Sequence, residues 1–315
     1  MKGVVLDAKA LNPGDLSFDR LMEMADFEVH DNTPDDLVLD GCAGRQVVIT
    51  NKVPFDGRRM EALASLKYIG VTATGYNIID IEAARELGIA VTNIPSYSTD
   101  AVAQHVFAFI LEVSNAVALH DKSVKEGQWE RSDTFCYWKT PLFELAGKRL
   151  GIVGLGNIGR RVASIAKAFA MDVVSYSPHS RMEGVQTVDL DTLLSTSDII
   201  TLHCPLNAQT RGIVCDESLS RVKPGAILIN ASRGPLVEED AVIRALESGR
   251  LSRYCADVLD VEPPRGGSRL AMHPASIITP HIAWAPLETR RRLLSIVEDN
   301  LEAFLKGEKL NRVDL

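Results

Sequence analysis

Three short motifs in the C-terminal half of the sequence carry an arginine, acids and a histidine. They are Asn230-Ala231-Ser232-Arg233-Gly234-Pro235, Asp257-Val258-Leu259-Asp260-Val261-Glu262-Pro263-Pro264 and Thr279-Pro280-His281-Ile282-Ala283-Trp284. A guanidinium binds a carboxylate through two parallel hydrogen bonds, and an imidazole gives or takes a proton near neutral pH. A neighbouring carboxylate such as Glu262 would orient the imidazole ring and hold its charged form. The motifs therefore offer an anchor for a carboxylate and a group for proton transfer.

Each of these residues also has an ordinary structural explanation. Arg233 is compatible with a surface salt bridge, Asp257 and Glu262 with solvated loop acids, and His281 with a structural or surface histidine. Each motif, however, directly follows a predicted strand at one edge of one sheet, which is where α/β proteins bind substrates. This convergence favours a functional site.

A fourth motif, Gly154-Leu155-Gly156-Asn157-Ile158-Gly159, closes a predicted strand and opens a helix. In this context Gly154 permits a tight turn, Gly156 lets the backbone approach a pyrophosphate, and Gly159 brings helix and strand together. The phosphates would bind at the N-terminal end of the helix, around Asn157 and Ile158. A glycine-rich turn without a ligand is the alternative. A dinucleotide bound here would supply the hydride that reduction of a keto acid requires.

The segments that position these motifs alternate between strands and helices, which predicts parallel sheets covered by helices. The strand candidates before the glycine motif are Val4–Leu6, Phe27–Val29, Val47–Thr50, Tyr68–Val71 and a short strand at Val91. Those from the glycine motif onward are Leu150–Val153, Asp172–Tyr176, Ile199–Leu202, Ala226–Asn230, Tyr254–Asp257 and Ile277–Thr279. A long amphipathic helix at about Leu287–Lys306 closes the chain.

Two further segments precede the glycine motif. Thr74-Gly75-Tyr76 follows a predicted strand and offers backbone N–H groups to an anion, although a plain turn explains it equally well. An apolar helix beginning near Asp100 is expected to be buried, with His105 as a core or interface histidine. The segment after it, from Lys122 to the aromatic run 135–138, is expected to be a long surface excursion.

The composition of the whole chain excludes several classes of protein. With 315 residues, 46% of them hydrophobic and 24% charged, the chain suits two globular domains. Its net charge of −8 argues against a nucleic-acid partner. No apolar run is long enough to cross a bilayer, and the N-terminus lacks a signal-peptide pattern. Five cysteines in no metal-like spacing predict reduced side chains, no metal site and a cytoplasmic protein.

In spacing and order the four motifs resemble the D-isomer-specific 2-hydroxyacid dehydrogenase family, and the likeness covers essentially the whole chain. The resemblance implies an α/β fold of two Rossmann-like or flavodoxin-like parallel-sheet domains. Residues 1–98 with 286–315 would bind substrate, as a discontinuous domain completed by the C-terminal helix, and residues 99–285 would bind NAD(P). A homodimer formed through the nucleotide-binding domain is also implied, with a small 2-keto or 2-hydroxy acid as substrate.

The resemblance also assigns roles to residues of the motifs. Arg233, Glu262 and His281 would be the catalytic set, with Arg233 and His281 in contact with both substrate and cofactor. The backbone of Thr74, Gly75 and Tyr76 would hold the substrate carboxylate. Asp257 would contact the nicotinamide carboxamide. The remaining cofactor contacts would be Ala231 and Ser232, and, near the adenosine, Cys204, Pro205 and Thr210.

One departure from the dinucleotide pattern concerns the adenosine ribose. An acid is expected at the end of the second strand of this unit, about 20 residues after the glycines begin. The sequence has Ser177 there, followed by Ser180 and Arg181, and Asp172 lies at the opposite end of that strand. Without the acid, nothing repels a 2′-phosphate, and Ser180 and Arg181 are able to bind one. The sequence therefore predicts NAD or NADP without deciding between them.

Within the family, His281-Ile282-Ala283-Trp284 and the short chain are most similar to the glycerate dehydrogenases, also called hydroxypyruvate reductases. Other dehydrogenases of the family, of the lactate or phosphoglycerate type, are the first alternative. The second is a dinucleotide sensor, because the C-terminal-binding-protein corepressors share this fold and a similar arginine, glutamate and histidine set.

Overall fold

Strands and helices alternate along the chain in the computed structural model, which describes all residues from 1 to 315. The strands are β1 (Lys2–Val5), β2 (Asp26–Val29), β3 (Val47–Thr50), β4 (Tyr68–Val71), β5 (Ala90–Thr92), β6 (Arg149–Val153), β7 (Asp172–Tyr176), β8 (Gln186–Thr187), β9 (Ile199–Leu202), β10 (Ala226–Asn230), β11 (Leu251–Ala256) and β12 (Ser276–Ile278). The helices are α1 (Ala8–Leu11), α2 (Asp19–Met24), α3 (Val38–Cys42), α4 (Gly57–Glu61), α5 (Ile81–Glu86), α6 (Thr99–Asn115), α7 (Val117–Lys125), α8 (Asn157–Ala168), α9 (Leu190–Thr196), α10 (Asp216–Arg221), α11 (Glu239–Glu247) and α12 (Leu287–Leu305).

The chain divides into two units, of which the first comprises Met1–Ser98 with Trp284–Leu315 and the second Thr99–Ala283. The chain returns to the first unit at Trp284 rather than at residue 286. The Trp284 indole packs edge-on against the Tyr97 ring of the same unit, with ring centroids 6.5 Å apart. An aromatic contact of this kind ties Trp284 to the first unit.

The first unit contains a five-stranded parallel sheet in the order β2-β1-β3-β4-β5. Its central strands β3 and β4 are buried at every residue, as expected for a parallel sheet covered on both faces. Helix α12 covers one face through the buried side chains of Leu293, Val297 and Leu301. The Tyr68 ring on β4 also contacts the Phe304 ring, at 4.8 Å between centroids. The C-terminal helix is therefore part of the core of this unit.

The second unit contains a seven-stranded parallel sheet in the order β12-β11-β10-β9-β6-β7-β8. Its register aligns the last residues of six strands in one row across the sheet. In spatial order these residues are Ile278, Ala256, Asn230, Leu202, Val153 and Tyr176. Every motif singled out in this half of the sequence begins at this row or directly after it, so the register gathers them along a single edge.

The segment after α6 differs in part from the expected surface excursion. Ala116 has a left-handed conformation (φ 46°), which ends α6, and a new helix α7 continues to Lys125. Ion pairs four residues apart, such as Lys125 with Asp121, stabilise this exposed helix without a continuous apolar stripe. Beyond it the chain has no helix or strand until β6. No single helix is long and apolar enough to span a membrane. Helices α6 and α7 meet the criteria of length and apolarity only when they are taken together, and they are bent by 54°.

Candidate active site

His281 and Glu262 form the closest acid–base pair at the carboxyl edge of the second sheet. The Nδ1 atom of His281 lies 2.6 Å from Oε2 of Glu262, whose Oε1 accepts a hydrogen bond from the Leu259 N–H at 2.9 Å. An ionised carboxylate only accepts hydrogen bonds, so Nδ1 carries a proton in this arrangement. The proton transfer predicted for His281 would then fall to Nε2, and this role stays a prediction. Both side chains are about one-third exposed, which leaves them accessible.

Asp257 holds the loop that carries His281. Its carboxylate accepts hydrogen bonds from Thr279 Oγ1 at 2.6 Å, from the Ile282 N–H at 2.8 Å and from the Ala283 N–H at 2.7 Å. His281 lies between these anchors with a left-handed backbone (φ 55°), a conformation that costs a non-glycine residue about 1–3 kcal/mol. The hydrogen bonds of the buried Asp257 side chain with residues before and after His281 offset this cost. The predicted contact of Asp257 with a nicotinamide stays a prediction.

His105 on α6 lies behind the same loop. Its Nε2 atom is 2.9 Å from Thr279 Oγ1 and 3.7 Å from Asp257 Oδ1, and its ring packs edge-on against Phe109. The structure therefore gives this histidine a polar partner at the site, beyond the core or interface position expected from the sequence. Residues 105 and 279 are far apart in the chain, and no spacing rule connects them.

Arg233 follows β10, in a loop shaped by the buried side chain of Asn230. The Asn230 amide donates to the Arg233 carbonyl at 2.8 Å and accepts from the Ser232 N–H at 3.1 Å. Arg233 itself is exposed, and its Nη1 donates to the Ser232 carbonyl at 2.8 Å. It forms no ion pair with an acid, so the surface salt bridge considered for it is not present.

Gly234 brings the Arg233 loop against the loop that carries Glu262. A Cβ atom on Gly234 would lie 2.0 Å from the Leu259 carbonyl oxygen and 2.4 Å from the Asp260 nitrogen. Only glycine permits this contact of backbone with backbone. Because β10, β11 and β12 are neighbours, Arg233, Glu262 and His281 project from three adjacent strand ends.

The glycine turn after β6 has the geometry that a pyrophosphate requires. A Cβ on Gly154 (φ 99°) would lie 2.5 Å from the Cys204 nitrogen, and one on Gly159 would lie 2.2 Å from the Gly154 carbonyl oxygen. The absence of a side chain at these two positions therefore allows the backbone of the turn to pack closely. A Cβ on Gly156, in contrast, would meet nothing within 4 Å, and no side chain caps α8 at this end. Open space in front of a helix N-terminus fits a bound phosphate.

The far end of the same edge carries the residues predicted for the adenosine. Ser177 is buried directly after β7, and Arg181 Nη1 donates to the carbonyls of Ser177 and Ser180, at 2.6 and 2.9 Å. This loop offers a hydroxyl and a guanidinium but no carboxylate at the strand end. After β9, burial raises the pKa of the Cys204 thiol to about 11 and lowers the pKa of His203 to about 4. Both groups are therefore uncharged near neutral pH.

Thr210 closes the loop that follows Cys204. Its Oγ1 donates to the Pro205 carbonyl at 2.6 Å, and its N–H donates to the Asn207 side chain at 3.1 Å. These bonds fix the loop locally, next to the glycine turn, because Gly154 packs against the Cys204 backbone. The predicted contacts of Cys204, Pro205 and Thr210 with an adenosine stay predictions.

In the first unit, Thr74, Gly75 and Tyr76 lie in the loop after β4. Thr74 and Tyr76 are exposed, and the N–H groups of all three residues donate to no acceptor within the protein. The loop is thus able to receive an anion.

A glycine turn fitted for a pyrophosphate and an acid–histidine pair on one parallel sheet are typical of dehydrogenases that use a nicotinamide dinucleotide. This is the class of protein that the fold and the site define. The family model described as "D-isomer specific 2-hydroxyacid dehydrogenase, NAD binding domain" matches residues 107–283. The chain belongs to the D-isomer specific 2-hydroxyacid dehydrogenase family, and the resemblance inferred from its motifs is confirmed.

Known relatives match the chain over its whole length. It is 43% identical to a hydroxypyruvate reductase of Blautia hydrogenotrophica, with 100% of both chains covered. It is 37% identical to a glycerate dehydrogenase of Methylorubrum extorquens, with 99% of both covered.

Two solved structures share the complete fold. An acyclic imino acid reductase in complex with NADPH and D-Arg is 30% identical, with a TM-score of 0.87 over 99% of this chain and 100% of the other. The D-lactate dehydrogenase of Aquifex aeolicus, complexed with NAD and lactic acid, is 27% identical, with a TM-score of 0.86 over 100% and 99%. The protein is an NAD(P)-dependent oxidoreductase of D-2-hydroxy acids.

Proposed function

We propose that the protein reduces hydroxypyruvate to D-glycerate, and glyoxylate as a second substrate. The full-length relatives named hydroxypyruvate reductase and glycerate dehydrogenase support this substrate, because the two names describe opposite directions of one reaction. The observation that carries the chemistry is the 2.6 Å contact of His281 with Glu262 beside the Arg233 loop. It supplies what reduction of a keto acid needs from the protein, a proton donor beside a cation.

Each of the three residues has its own task. When bound, NAD(P)H supplies the hydride that is added to the substrate carbonyl carbon. The imidazolium form of His281, which Glu262 stabilises through Nδ1, gives the proton from Nε2 to the carbonyl oxygen as negative charge develops there. The ring is then left as the neutral imidazole. Arg233 binds the substrate carboxylate and polarises the carbonyl, which a planar guanidinium suits. In the reverse direction His281 Nε2 takes the proton back.

The cofactor is held along the strand ends of the second sheet. Gly154, Gly156 and Gly159, with Asn157 and Ile158, would bind the pyrophosphate at the N-terminus of α8, and this rests on the open space at Gly156. The remaining contacts proposed toward the dinucleotide are those of Ser177, Ser180, Arg181, Cys204, Pro205, Thr210, Ala231, Ser232 and Asp257. Because Ser177 replaces an acid and Arg181 is tethered beside it, we propose that NADPH is accepted as well as NADH.

An assay of cofactor oxidation tests the proposed function directly. The purified protein is given NADH or NADPH with hydroxypyruvate, glyoxylate, pyruvate and 3-phosphohydroxypyruvate, and cofactor oxidation is followed by absorbance. We expect the highest kcat/KM with hydroxypyruvate, and some turnover with glyoxylate. Higher kcat/KM with pyruvate or with the phosphorylated acid would identify a lactate-type or phosphoglycerate-type enzyme. No oxidation of either cofactor with any acid would favour a dinucleotide sensor.

We further propose a homodimer formed through the second unit. Large apolar side chains are exposed along α7 and the segment that follows it, namely Val117, Trp129, Phe135, Trp138 and Leu142. Monomeric proteins rarely expose so much apolar surface in one region, so a second copy is the proposed cover. Light scattering after gel filtration is expected to give twice the chain mass, and Phe135→Glu to shift it toward the monomer.

We also propose a cytoplasmic location, with which the five free thiols agree.

A further inference from the structure

In the loop after β4 of the first unit, several backbone carbonyls are hydrogen-bonded whereas the backbone N–H groups are not. The consecutive N–H groups from Ala73 to Asn77 donate to no acceptor within the protein. The carbonyls that precede three of these N–H groups are all engaged. A run of backbone N–H groups turned the same way forms a concavity with positive potential, which attracts an anion.

Three donors on neighbouring loops hold these carbonyls in place. Asn51 Nδ2 donates to the Thr72 carbonyl at 2.9 Å, the Ile94 N–H to the Ala73 carbonyl at 3.0 Å, and Asn93 Nδ2 to the Thr74 carbonyl at 2.8 Å. A trans peptide is planar, and its C=O and N–H point in opposite directions. Each fixed carbonyl therefore fixes the N–H of the next residue, which is that of Ala73, Thr74 and Gly75 respectively.

The donors are themselves anchored by residues from distant parts of the first unit. The Asp7 carboxylate, after β1, accepts the N–H groups of Asn51 and Lys52, each at 2.7–2.8 Å. On the other side, Asn300 on α12 is buried, and its Nδ2 donates to the Asn93 carbonyl at 3.0 Å. Asn311 in turn donates to the Asn300 amide oxygen at 2.8 Å. Two chains of hydrogen bonds thus end on the two asparagines that hold the loop.

We propose that Asn51 and Asn93 are positioning residues for the substrate carboxylate: by holding the Thr72 and Thr74 carbonyls, they point the N–H groups of Ala73 and Gly75 at the carboxylate. This inference rests on the proposed function, because it assigns the anion as the substrate carboxylate. It extends that function to two residues that touch neither the substrate nor the cofactor, and it includes Asp7 and Asn300 as their anchors.

The test compares Asn51→Ala, Asn93→Ala and the double variant with the control Asn32→Ala, an exposed asparagine of the same unit without a hydrogen bond to another residue. Hydrogen bonds to a charged group contribute enough for a loss of about tenfold in binding. We expect KM for hydroxypyruvate to rise about tenfold in each single variant and further in the double variant. KM for NADH and kcat stay within about twofold. The dissociation constant of oxamate, a carboxylate analogue, rises in parallel with KM in the presence of NADH.

A wild-type KM and oxamate affinity in the folded variants would overturn the positioning role. A fall in kcat, or a rise in KM for both hydroxypyruvate and NADH, would also overturn it. A merely structural role lowers the amount of competent enzyme or affects the substrate and cofactor sites together. Thermal unfolding checks that each variant is folded. Where an alanine variant does not fold, the serine variant at the same position is judged by the same criteria. Wild-type protein without keto-acid reduction would instead contradict the proposed function itself, so the two failures are distinguishable.

Discussion

The carboxyl edges of the two parallel sheets are built alike but present opposite kinds of chemistry. In the second unit the edge presents charged side chains, with His281, Glu262 and Arg233 projecting from adjacent loops. In the first unit the edge presents backbone, because the N–H groups from Ala73 to Asn77 donate to no acceptor within the protein. Side chains are able to change their protonation state, whereas peptide N–H groups keep a fixed dipole.

The supports of the two edges differ in the same way. The buried Asp257 side chain accepts hydrogen bonds from the loop of His281, the residue proposed to transfer a proton. The neutral amides of Asn51 and Asn93 hold the first-unit loop, which is proposed only to bind the substrate carboxylate. The comparison predicts that substitutions at the second edge mainly lower kcat, whereas substitutions at the first edge mainly raise KM.

The largest effect is expected for His281→Gln. Removal of a positioned proton donor lowers kcat by about 10²–10⁴, because the developing alkoxide is left without its proton. The fluorescence titration of NADH should give an unchanged dissociation constant. His30→Gln is a matched control, since His30 is also paired with a glutamate, Glu28, in the first unit. Retention of more than a tenth of the wild-type kcat would show that the comparison assigns His281 wrongly.

A smaller loss is expected for Gly234→Ala. The new methyl group would collide with the Leu259 carbonyl, so the loops of Arg233 and Glu262 must separate. Overpacking of this kind costs about 1–3 kcal/mol of stability, and we expect kcat to fall at least tenfold as judged by the hydroxypyruvate assay. Gly41→Ala is the control, because a Cβ there meets only ordinary contacts and its helix tolerates alanine. Normal activity in Gly234→Ala would mean that the spacing of the two loops is unimportant.

Arg181→Ala tests another part of the second edge, at the end that is remote from His281. Loss of the guanidinium is expected to raise KM for NADPH about tenfold, since a charge-assisted bond to the 2′-phosphate is lost, and to leave KM for NADH nearly unchanged. Arg131→Ala removes a similarly tethered arginine from a surface loop and serves as the control. Equal changes in both KM values would refute the role of Arg181 in choosing the cofactor.

The smallest effect is expected at the anchor of the first edge, in Asp7→Asn. Burial raises the pKa of Asp7 above its ordinary value of 3.8, more than the bonds from Lys52 and Asn51 lower it. The folded protein therefore holds this proton more tightly than the unfolded chain does, and wild-type stability falls as pH rises through that interval. Asparagine does not titrate, so denaturant midpoints from about pH 3 to about pH 7 should increasingly favour the variant. A pH-independent difference, as expected for Asp40→Asn on the surface, would contradict this assignment.

Much of the fold follows directly from the residue pattern. The strands Val47–Thr50, Tyr68–Val71, Asp172–Tyr176, Ile199–Leu202 and Ala226–Asn230 have the predicted limits. Their continuous apolar runs are typical of strands buried on both faces. Helix α7 was less predictable, because its exposed surface lacks an apolar stripe and ion pairs support it instead. The residue pattern also singles out Arg233, Glu262 and His281, because each follows a predicted strand within a recognisable motif, and their catalytic roles stay predictions.

The residues that sequence reasoning missed are the supports. In the second unit Thr279 bonds to Asp257 and His105 bonds to Thr279, and in the first unit Asn51 holds the loop after β4. Asn93 holds the same loop through the Thr74 carbonyl. A polar residue directly after a buried strand is the signal that would have drawn attention to Asn51 and Asp7. The sequence alone gives no partner for either of them.

The amino-acid sequence by itself determined the class of chemistry, the sheets and the family, because glycine spacing, strand periodicity and side-chain types are local properties of the chain. Only the tertiary structure decided which groups support that chemistry. The bond between Asp257 and the His281 loop joins residues 26 positions apart, and the bond from Asn93 to Thr74 joins residues 19 positions apart. The bond from Asn300 to Asn93 spans more than 200. Such contacts depend on how strands are ordered and helices packed, and no local pattern in a single sequence encodes that arrangement.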